Sequence, residues 1–326
     1  MNGPADGPRV VALGGGHGLA ASLRALRRVT PHVTAVVTVA DDGGSSGRLR
    51  DELGILPPGD LRMALAALAG DDPWGQLWER LLQHRFAGDG PLRGHAAGNL
   101  LLAALIDTEG GIVEALDTVR SLLGGTGRVL PASCTPLEIC AHVLGHDPAH
   151  PVGVTEVRGQ VAVATTPGHV VSVSLEPTDP AACEQALVAV QEADWIVFGP
   201  GSWFTSVLPH LLVPELRAEL EKTRARRLVA LNLVAQPGET EGFAPETHLE
   251  VMMTLAPAMT LDVVLADEAS VLDRRGLLTA AQAYGAELVL APVAMDDGSP
   301  RHDPARLAQA YADVFAGEPG VAGTQS

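Results

Sequence analysis

Residues 35–62 read AVVTVADDGGSSGRLRDELGILPPGDLR, an apolar run that ends abruptly in the carboxylates Asp41 and Asp42. A loop of small residues follows, consisting of Gly43, Gly44, Ser45, Ser46 and Gly47. This order is typical of a buried strand with a polar loop at its carboxyl end, which is where open α/β sheets bind ligands. Glycines let backbone N–H groups approach a ligand, and serines can cap a helix whose N-terminus favours anions. The stretch therefore predicts one wall of a ligand site in an α/β sheet.

The rest of the chain alternates between short apolar runs and segments in which leucines have helical spacing. Strands are predicted at residues 10–13, 33–40, 194–198, 228–233, 261–265 and 288–290. Because helical segments separate these strands, the pattern predicts an α/β protein with a mainly parallel sheet covered on both faces. Residues 128–176 are richer in Val and Thr with short alternation, which predicts a small antiparallel β excursion.

Composition and net charge argue against several classes of protein. The 326 residues are 46% hydrophobic and carry a net charge of −17. Nucleic acid and anionic membrane surfaces bind basic proteins, so neither is expected as a partner. No apolar run approaches the roughly 20 residues of a membrane span, and no signal peptide is visible, so we expect a cytoplasmic protein. One α/β nucleotide-binding domain is expected over residues 9–316, between disordered tails at 1–8 and 317–326.

The three cysteines do not suggest a disulfide framework, because they are few for a chain of this length. They are Cys134, Cys140 and Cys183. Free cysteine usually behaves as a small buried hydrophobe, and that is the environment expected for all three.

A glycine loop follows the first predicted strand. Residues 16–21, GHGLAA, fit the dinucleotide pattern G-x-G-x-x-A and open a helical segment, and Gly15 precedes them. The loop is interpreted either as a phosphate- or nucleotide-binding loop or as a tight structural turn. His17 within it is either close to the ligand or simply exposed to solvent.

Further polar groups follow other predicted strands. Gly199, Gly201 and Ser202 form another glycine loop, and Asn232 and Gln236 follow the next strand. Because several strands end in such residues, we expect one shared cleft at the carboxyl edge of the sheet.

The acidic residues have several interpretations. One carboxylate of the Asp41–Asp42 pair binds a ribose diol, or one holds a divalent metal beside phosphate oxygens, or both cap the Ser/Gly turn. Asp60, which precedes Arg62, either caps a helix or faces the same cleft. Asn99 either begins a helix near the cleft or caps it.

Five segments together resemble the YvcK family, also called gluconeogenesis factors, which is related to the 2-phospho-L-lactate transferase (CofD) enzymes. The segments are LGGGHGL (13–19), VTVADDGGSSGRLRDELGILPPGDLR (37–62), GNLLLAAL (98–105), GPGSWFTSVLPHLLVPEL (199–216) and NLVAQPGETEGF (232–243). The resemblance extends over about residues 9–315 and implies a Rossmann-like three-layer α/β/α fold. The DDGGSSGRLRDELG and PPGD block is specific to the YvcK branch.

The resemblance also implies a function. It predicts a regulatory protein that binds a UDP-sugar such as UDP-N-acetylglucosamine and links carbon metabolism to cell-wall synthesis and cell shape. Cell-wall regulatory proteins and a second copy of the chain are the partners expected. The predicted ligand-binding residues are Gly15, Gly16, His17, Gly18, Asp41, Asp42, Gly43, Gly44, Ser45, Ser46, Asp60, Arg62, Asn99, Gly199, Gly201, Ser202, Asn232, Gln236 and Arg301, with His302 beside the last.

Two alternatives stay open. The first is a CofD-like transferase that moves a phosphate-linked group, with Asp42 and Asp60 holding Mg²⁺. The second is an NAD-dependent oxidoreductase, which rests on the G-x-G-x-x-A match alone. Two departures from the family pattern bear on the choice, because His17 replaces a usual Thr and Met63 replaces a usual Asn. Each removes a small polar group from the predicted cleft.

Overall fold

A computed structural model describes residues 7–236 and 239–317. Residues 1–6 and 318–326, which make up most of the two predicted tails, lie outside the described part of the chain. Within that part, no helix is long and apolar enough to cross a membrane.

Ten strands run through the described residues. In chain order they are β1 (Val10–Gly14), β2 (Val33–Val37), β3 (Arg128–Pro131), β4 (Glu138–Leu144), β5 (Val154–Arg158), β6 (His169–Glu176), β7 (Trp195–Phe198), β8 (Arg226–Ala230), β9 (Val263–Asp267) and β10 (Glu287–Ala291). Seven of them form one sheet in the order β10-β9-β8-β7-β1-β2-β3, and every neighbouring pair is parallel. The other three form an antiparallel sheet in the order β5-β4-β6.

Helices connect the parallel strands. They are α1 (Gly16–Leu26), α2 (Gly44–Leu53), α3 (Gly59–Ala67), α4 (Pro73–Gln83), α5 (Ala97–Glu109), α6 (Ile112–Leu123), α7 (Gln160–Ala164), α8 (Glu184–Glu192), α9 (Pro214–Lys222), α10 (Pro245–Leu255), α11 (Arg274–Ala283) and α12 (Pro304–Ala316). A π-helical turn at Trp203–Val207 and a 3-10 helix at Leu208–Leu212 follow β7. The predicted Rossmann-like α/β/α fold, with a mainly parallel sheet and a small β-rich part, is confirmed.

The central strands are apolar along their whole length because helices cover both faces of the sheet. Every residue of β1, β7 and β9 is buried. Helix α1 buries Leu19, Leu23 and Leu26, which are at most 1% exposed, and it packs beside α3 and α12. The leucine spacing therefore fixes which side of α1 faces the sheet, and this places the helix N-terminus beside the end of β1.

The strand order reverses between β1 and β7. From β1 the chain adds β2 and β3 on one side, and it later adds β7, β8, β9 and β10 on the other. Val10 is in register with Val33 of β2 and with Trp195 of β7. The connections after β1 and β7 therefore diverge and leave a crevice at the carboxyl ends of these two strands.

The β-rich part is smaller than the sequence predicts. The predicted excursion spans residues 128–176, but β3 at its start belongs to the parallel sheet, where it pairs with β2. A run of four residues is too short for periodicity to distinguish a parallel strand from an antiparallel one. The antiparallel sheet begins at Glu138, and we call residues 134–183, which leave the parallel sheet after β3 and return before α8, the insert.

The cysteine prediction is correct for two residues and wrong for the third. Cys140 on β4 and Cys183 before α8 are buried, whereas Cys134 is exposed. Cys134 lies in the connection after β3, outside regular structure, where the chain leaves the parallel sheet.

Candidate functional site

A cavity of about 750 Å³ opens at the carboxyl ends of β1 and β7. Ten of the sequence-predicted ligand residues line it, namely Gly15, Gly16, His17, Gly18, Asp60, Gly201, Ser202, Asn232, Gln236 and Arg301. They come from five separate parts of the chain, which the parallel sheet brings to one edge. The cavity therefore occupies the crevice that the reversal of strand order creates.

The two glycine loops that flank this crevice pack directly against each other. A Cβ atom on Gly18 would lie 2.3 Å from the carbonyl oxygen of Pro200 and 2.6 Å from the Cα of Gly201. Asn232 then fixes the second loop, because its Oδ1 accepts from Gly201 N at 2.9 Å and its Nδ2 donates to Gly201 O at 2.8 Å. The glycine at position 18 is thus required for the approach of the two backbones.

The first loop also begins a helix at the cavity. Helix α1 starts at Gly16, whose φ of +59° is accessible to glycine at little cost. The first N–H groups of a helix have no partner within the helix, and together with the helix dipole they favour anions. Gly16, His17 and Gly18, the first residues of α1, all line the cavity. This end of the cavity is suited to a phosphate group.

Asp60, in the first turn of α3, lies beneath the glycine loop and is 8% exposed. A Cβ atom on Gly15 would lie only 2.4 Å from its Oδ2. Burial and the charge of Asp41 raise the pKa of Asp60 to about 7, although the backbone N–H of Gly16 and the charge of Arg62 act in the opposite direction. Oδ2 has no hydrogen-bond partner among the described residues. Asp60 therefore brings a buried carboxyl group with an unused oxygen to the cavity.

Two glutamines on the cavity wall also carry an unused acceptor. The Oε1 atoms of Gln160 and Gln236 are buried without a partner among the described residues, and both side chains line the cavity. Ser202 donates to Oε1 of Glu239, whose pKa is raised by burial. Buried polar atoms without a partner are uncommon in folded proteins, so these oxygens are positions where a ligand or water donates a hydrogen bond.

The acidic loop, residues 41–47, does not face this cavity. Asp42 Oδ1 accepts from Val161 N at 3.0 Å and so caps α7 of the insert. Asp41 Oδ1 accepts from Gly43 N at 2.9 Å, and burial raises the pKa of Asp41. Neither carboxylate is part of the cavity lining. Their contacts are with the protein itself.

The serines of the acidic loop are also bound by neighbouring elements. Ser45 Oγ accepts from Asn99 Nδ2 at 3.0 Å on α5 and lies 3.0 Å from His95 Nδ1. Ser46 Oγ accepts from Gly59 N at 2.7 Å at the start of α3. Gly43 and Gly44 form the beginning of α2, and none of these residues lines the cavity.

Arg62 and Gly199 likewise lie outside the cavity lining. Arg62 is 3% exposed, and its Nη1 donates to Gln83 Oε1 at 2.6 Å. Burial lowers the pKa of Arg62 to about 10. Gly199 has a φ of +73° at the end of β7 and turns the chain toward Gly201.

Several lining residues were not predicted from the sequence. They include Ala21 and Arg24 on α1, Gln160 on α7, Ser206 and the apolar side chains Leu233, Val234 and Met295. Ala21 and Arg24 could have been found, because they lie one and two helical turns after the glycine loop. Gln160 could not, because it belongs to the insert and reaches the cavity only through tertiary packing.

Two arginines and one carboxyl line the cavity, although the whole chain is strongly acidic. Arg24 and Arg301 lie in the lining with Asp60, and burial lowers the pKa of His302, which also lines the cavity. Arg24 pairs with Glu79 at 2.8 Å, and Arg301 pairs with Asp297 at 2.8 Å. The local arrangement therefore suits an anionic small molecule in a protein whose overall charge repels large anions.

Of the two carboxylates predicted from the sequence to hold a metal, Asp42 caps α7 and is not in the cavity lining, whereas Asp60 lies under the glycine loop and lines the cavity. Among the described residues, no group of three or more His, Cys, Asp or Glu side chains could hold a metal ion. Asp60 nevertheless fits a divalent cation as one carboxylate ligand, since its Oδ2 is unused. Mg²⁺ is commonly held by one or two carboxylates together with phosphate oxygens, so the remaining ligands would come from a bound phosphate.

The fold and the cavity define a doubly wound α/β protein with its site at the topological switch point. Comparison with known proteins then identifies the family. Residues 10–301 match the family described as 2-phospho-L-lactate transferase CofD. The chain belongs to this CofD family, in the branch of the gluconeogenesis factors, the YvcK family.

Relatives of this branch match most of the chain. The sequence is 55% identical to a provisionally named gluconeogenesis factor of Mycobacterium tuberculosis, over 97% of this chain and 94% of the relative. It is 40% identical to the gluconeogenesis factor of Listeria innocua, over 75% of this chain and 73% of the relative. A crystal structure of a UPF0052 family member from Bacillus halodurans superposes with a TM-score of 0.82 at 34% identity, covering 94% of this chain and 98% of the other.

Proposed function

We propose that this protein binds a nucleotide sugar, a UDP-sugar such as UDP-N-acetylglucosamine, and acts as a regulator without turnover. The observation that carries the proposal is the 750 Å³ cavity at the switch point between two closely packed glycine loops. Pockets for cofactor-sized molecules typically span about 300–1,000 Å³. A nucleotide sugar has the size and the negative charge that this cavity favours.

Different parts of the cavity match different parts of such a ligand. The N-terminus of α1 at Gly16 and Gly18 suits the diphosphate. The unused oxygens of Gln160, Gln236 and Asp60 are acceptors, so they suit the N–H of a pyrimidine or the hydroxyls of a sugar. A ligand that donates several hydrogen bonds would satisfy groups that are otherwise buried without partners.

The test is ligand-dependent thermal unfolding. A ligand that binds only the native state at 100 times its Kd adds about 2.7 kcal/mol of stability and raises the Tm. We expect the Tm to rise with UDP-N-acetylglucosamine and to change little with GDP-mannose or NAD⁺. An unchanged Tm at millimolar UDP-sugar, with a clear rise on NAD⁺ or GDP-mannose, would reject the proposal and identify the other nucleotide class.

A cavity-filling variant makes the test site-specific. Ala21→Trp on α1 introduces a large side chain into the cavity and should abolish the ligand-dependent rise in Tm. Ala104→Trp on α5 is the matched control, because Ala104 is exposed and lies outside the cavity. A ligand response that survives Ala21→Trp would locate the ligand elsewhere.

The regulatory part of the proposal rests on the resemblance to the YvcK family. We propose that the liganded protein links carbon metabolism to cell-wall synthesis and cell shape through protein partners, and that it associates with a second copy of itself. Intact UDP-sugar after prolonged incubation, measured by ³¹P NMR, would support binding without turnover. Light scattering with and without the ligand would report self-association.

A second candidate is a CofD-like transferase of a phosphate-linked group, and the unused Oδ2 of Asp60 favours it. A bound Mg²⁺ would neutralise phosphate charge during transfer. Asp60 would then supply one oxygen ligand, while the N–H groups at the start of α1 orient the phosphate. Metal-dependent loss of a nucleotide donor that Asp60→Asn abolishes would support this candidate. Asp51→Asn is the control, because Asp51 is an exposed carboxylate on α2 outside the cavity.

A further inference from the structure

A smaller cavity of about 280 Å³, which we call the side cavity, lies at the carboxyl ends of β8 and β9. Leu231, which follows β8, lines it together with Ala266 of β9 and Pro245 at the start of α10. Residues 232–235 line both the side cavity and the 750 Å³ cavity, so the two cavities adjoin along this segment. A ligand bound at the switch point can therefore extend into the side cavity.

The side cavity suits an uncharged group. Its walls are largely apolar and include Leu233 and the ring of Phe243. The described residues that line it include no arginine or lysine. Its buried carboxylate, Asp267, is already paired, because Oδ1 accepts from Val293 N and Oδ2 accepts from Ser270 N, each at 3.0 Å. A phosphate group would find no cationic partner here.

His248 on α10 brings an unused hydrogen-bond acceptor to the side cavity. The side chain lines the cavity and is 5% exposed. Its Nδ1 lies 3.1 Å from the carbonyl oxygen of Ala244, and a carbonyl oxygen can only accept, so Nδ1 carries the proton. Burial lowers the pKa of His248, which keeps the ring neutral at pH 7. Nε2 therefore has a lone pair, and it has no partner in the described part of the chain.

The imidazole ring of His248 is held in one orientation by its neighbours. The rings of Trp203 and Phe243 meet it edge to face, with centroids 5.2 Å and 5.6 Å from its own. The hydrogen bond to Ala244 fixes the same ring from α10. A buried acceptor without a partner costs stability, and a ligand that donates one hydrogen bond removes that cost. The side cavity thus suits a mainly apolar, uncharged group that carries one N–H or O–H donor.

The acidic loop determines the direction in which a nucleotide can extend from the switch point. In dinucleotide-binding sheets, the ribose reaches an acidic residue after the second strand. Here Asp42, which follows β2, caps α7, and neither Asp41 nor Asp42 lines the larger cavity. Neighbouring strands are about 4.8 Å apart, so the side cavity lies roughly 10 Å along the sheet edge from the crevice between β1 and β7. A ribose linked to a diphosphate can span that distance.

We propose that the side cavity is the subsite for the base of the nucleotide sugar, and that His248 selects uracil by accepting a hydrogen bond from its N3–H. The inference rests on the proposed function, because the base occupies the side cavity while the diphosphate lies at the start of α1. Cytosine has a lone pair at N3 in place of the hydrogen, so it would face the lone pair of Nε2. The unused oxygens of Gln160, Gln236 and Asp60 are then left for the hydroxyls of the ribose and the sugar.

The experiment compares UDP-glucose with CDP-glucose, which differ only in the base, by isothermal titration calorimetry. The wild type should bind UDP-glucose at least about tenfold more tightly, because CDP-glucose leaves a buried acceptor unpaired. His248→Phe removes the acceptor, so the two Kd values should agree within about twofold. His248→Gln keeps an acceptor oxygen near the position of Nε2 and should preserve most of the preference. His169→Phe is the control, because His169 is exposed on β6 and lies outside both cavities.

Failure of the base subsite can be told apart from failure of the proposed function. If neither sugar nucleotide binds the wild type, the proposed function is wrong, and the subsite is wrong with it. If UDP-glucose binds but His248→Phe keeps the wild-type preference, the base lies elsewhere and only the role of His248 is wrong. Equal binding of both sugar nucleotides to the wild type would overturn that role as well.

The ¹⁵N resonance of His248 Nε2 reports the same hydrogen bond in the wild-type protein. It is assigned by its absence from the spectrum of His248→Gln. Because a donor at the lone pair shields the nitrogen, the resonance should move upfield when UDP-glucose binds and move less with CDP-glucose. An unchanged resonance at saturating UDP-glucose would overturn the proposal, even if His248→Phe does not fold.

Discussion

Two polar regions at the carboxyl edge of the sheet use their residues in opposite ways. The switch loops, residues 14–18 and 199–202, pack against each other, and residues 15–18 and 200–202 of them line the cavity. In the acidic loop, residues 41–47, Asp42 and the serines bind α7, α5 and α3, and Asp41 binds Gly43 N of the same loop. The acidic loop has the more distinctive sequence, but the switch loops are where unused hydrogen-bonding groups face open space.

The difference follows from the position of each strand in the sheet. Strands β1 and β7 lie on either side of the reversal in strand order, so their connections diverge and leave a crevice. Strand β2 lies between β1 and β3, and the loop after it is contacted by α3 and α5, which lie between β2 and β3 in the chain, and by α7 of the insert. Whether a polar loop lines a ligand site or binds other parts of the protein therefore depends on the strand order around it.

Asp60 lies between the two regions, and its replacement should have the largest effect. Its pKa in the folded protein is about 7 and its ordinary value is 3.8, so the protonated form is the one that folding favours. The stability that this group contributes is fully present below pH 4 and is lost as the pH rises through 7. The loss is on the order of 4 kcal/mol over that range, from the size of the pKa shift.

Asp60→Asn removes this titration because the amide stays neutral. Urea unfolding at pH 4, 6 and 8 should show that the wild type loses stability relative to Asp60→Asn as the pH rises. Asp51→Asn, which changes an exposed carboxylate on α2, should follow the wild type at every pH. Parallel curves for Asp60→Asn and the wild type would mean that Asp60 is ionised without cost, and its description as a buried carboxyl with a raised pKa would be wrong.

Two glycine substitutions compare the two regions directly. Gly18→Ala places a Cβ atom 2.3 Å from Pro200 O, so the switch loops must separate. The expected cost is about 2 kcal/mol or more, and the ligand-dependent rise in Tm should disappear. Gly44→Ala in the acidic loop meets no atom within 4 Å but has a φ of +50°. It should cost only about 1 kcal/mol and leave ligand binding intact.

The outcome that would contradict the comparison is the reverse pattern. Loss of ligand binding in Gly44→Ala, with binding retained in Gly18→Ala, would place the ligand on the acidic loop. Denaturant unfolding and ligand titration by thermal shift, run on the same samples, separate the stability effect from the binding effect.

The fold class and the switch loops were predictable because both rest on local patterns. The glycine loop at residues 14–18 follows an apolar run and precedes a leucine stripe, and this order alone gives strand, loop and helix. Parallel pairing then brings Gly201, Ser202 and Asn232 to the same edge. Ten of the predicted residues accordingly meet in one cavity.

The rest depended on tertiary contacts that no local pattern records. The carboxylates at positions 41 and 42 end a buried strand, but the sequence does not say that α7 of the insert will take Asp42 as its cap. Gln160 reaches the cavity from the same insert for the same reason.

Substitution of Asp42 tests whether the acidic loop holds the insert in place and does not bind the ligand. Asp42→Ala removes the acceptor for Val161 N, and loss of such a cap costs about 1 kcal/mol. The insert should become more sensitive to limited proteolysis, while affinity for the UDP-sugar should change by less than about twofold. Asp42→Asn keeps an acceptor oxygen and should restore resistance. A tenfold loss of ligand or Mg²⁺ affinity in Asp42→Asn would instead make Asp42 a ligand, as the sequence first suggested.

Arg301 should show the smallest effect, at the outer rim of the cavity. Its guanidinium lines the cavity while paired with Asp297, and its side chain is 66% exposed, so water and salt screen its attraction for a ligand. Arg301→Gln should weaken binding of the UDP-sugar by about threefold at low salt, and the difference should vanish near 0.5 M NaCl, where roughly 4 Å of screening length remains. Arg274→Gln removes another exposed arginine, which is 53% exposed and paired with Glu268 outside the cavity, and should leave affinity unchanged at both salt concentrations. If the two variants weaken binding equally, the loss of affinity comes from the change in the protein's overall charge. Arg301 would then make no specific contribution to binding of the anionic ligand at the cavity.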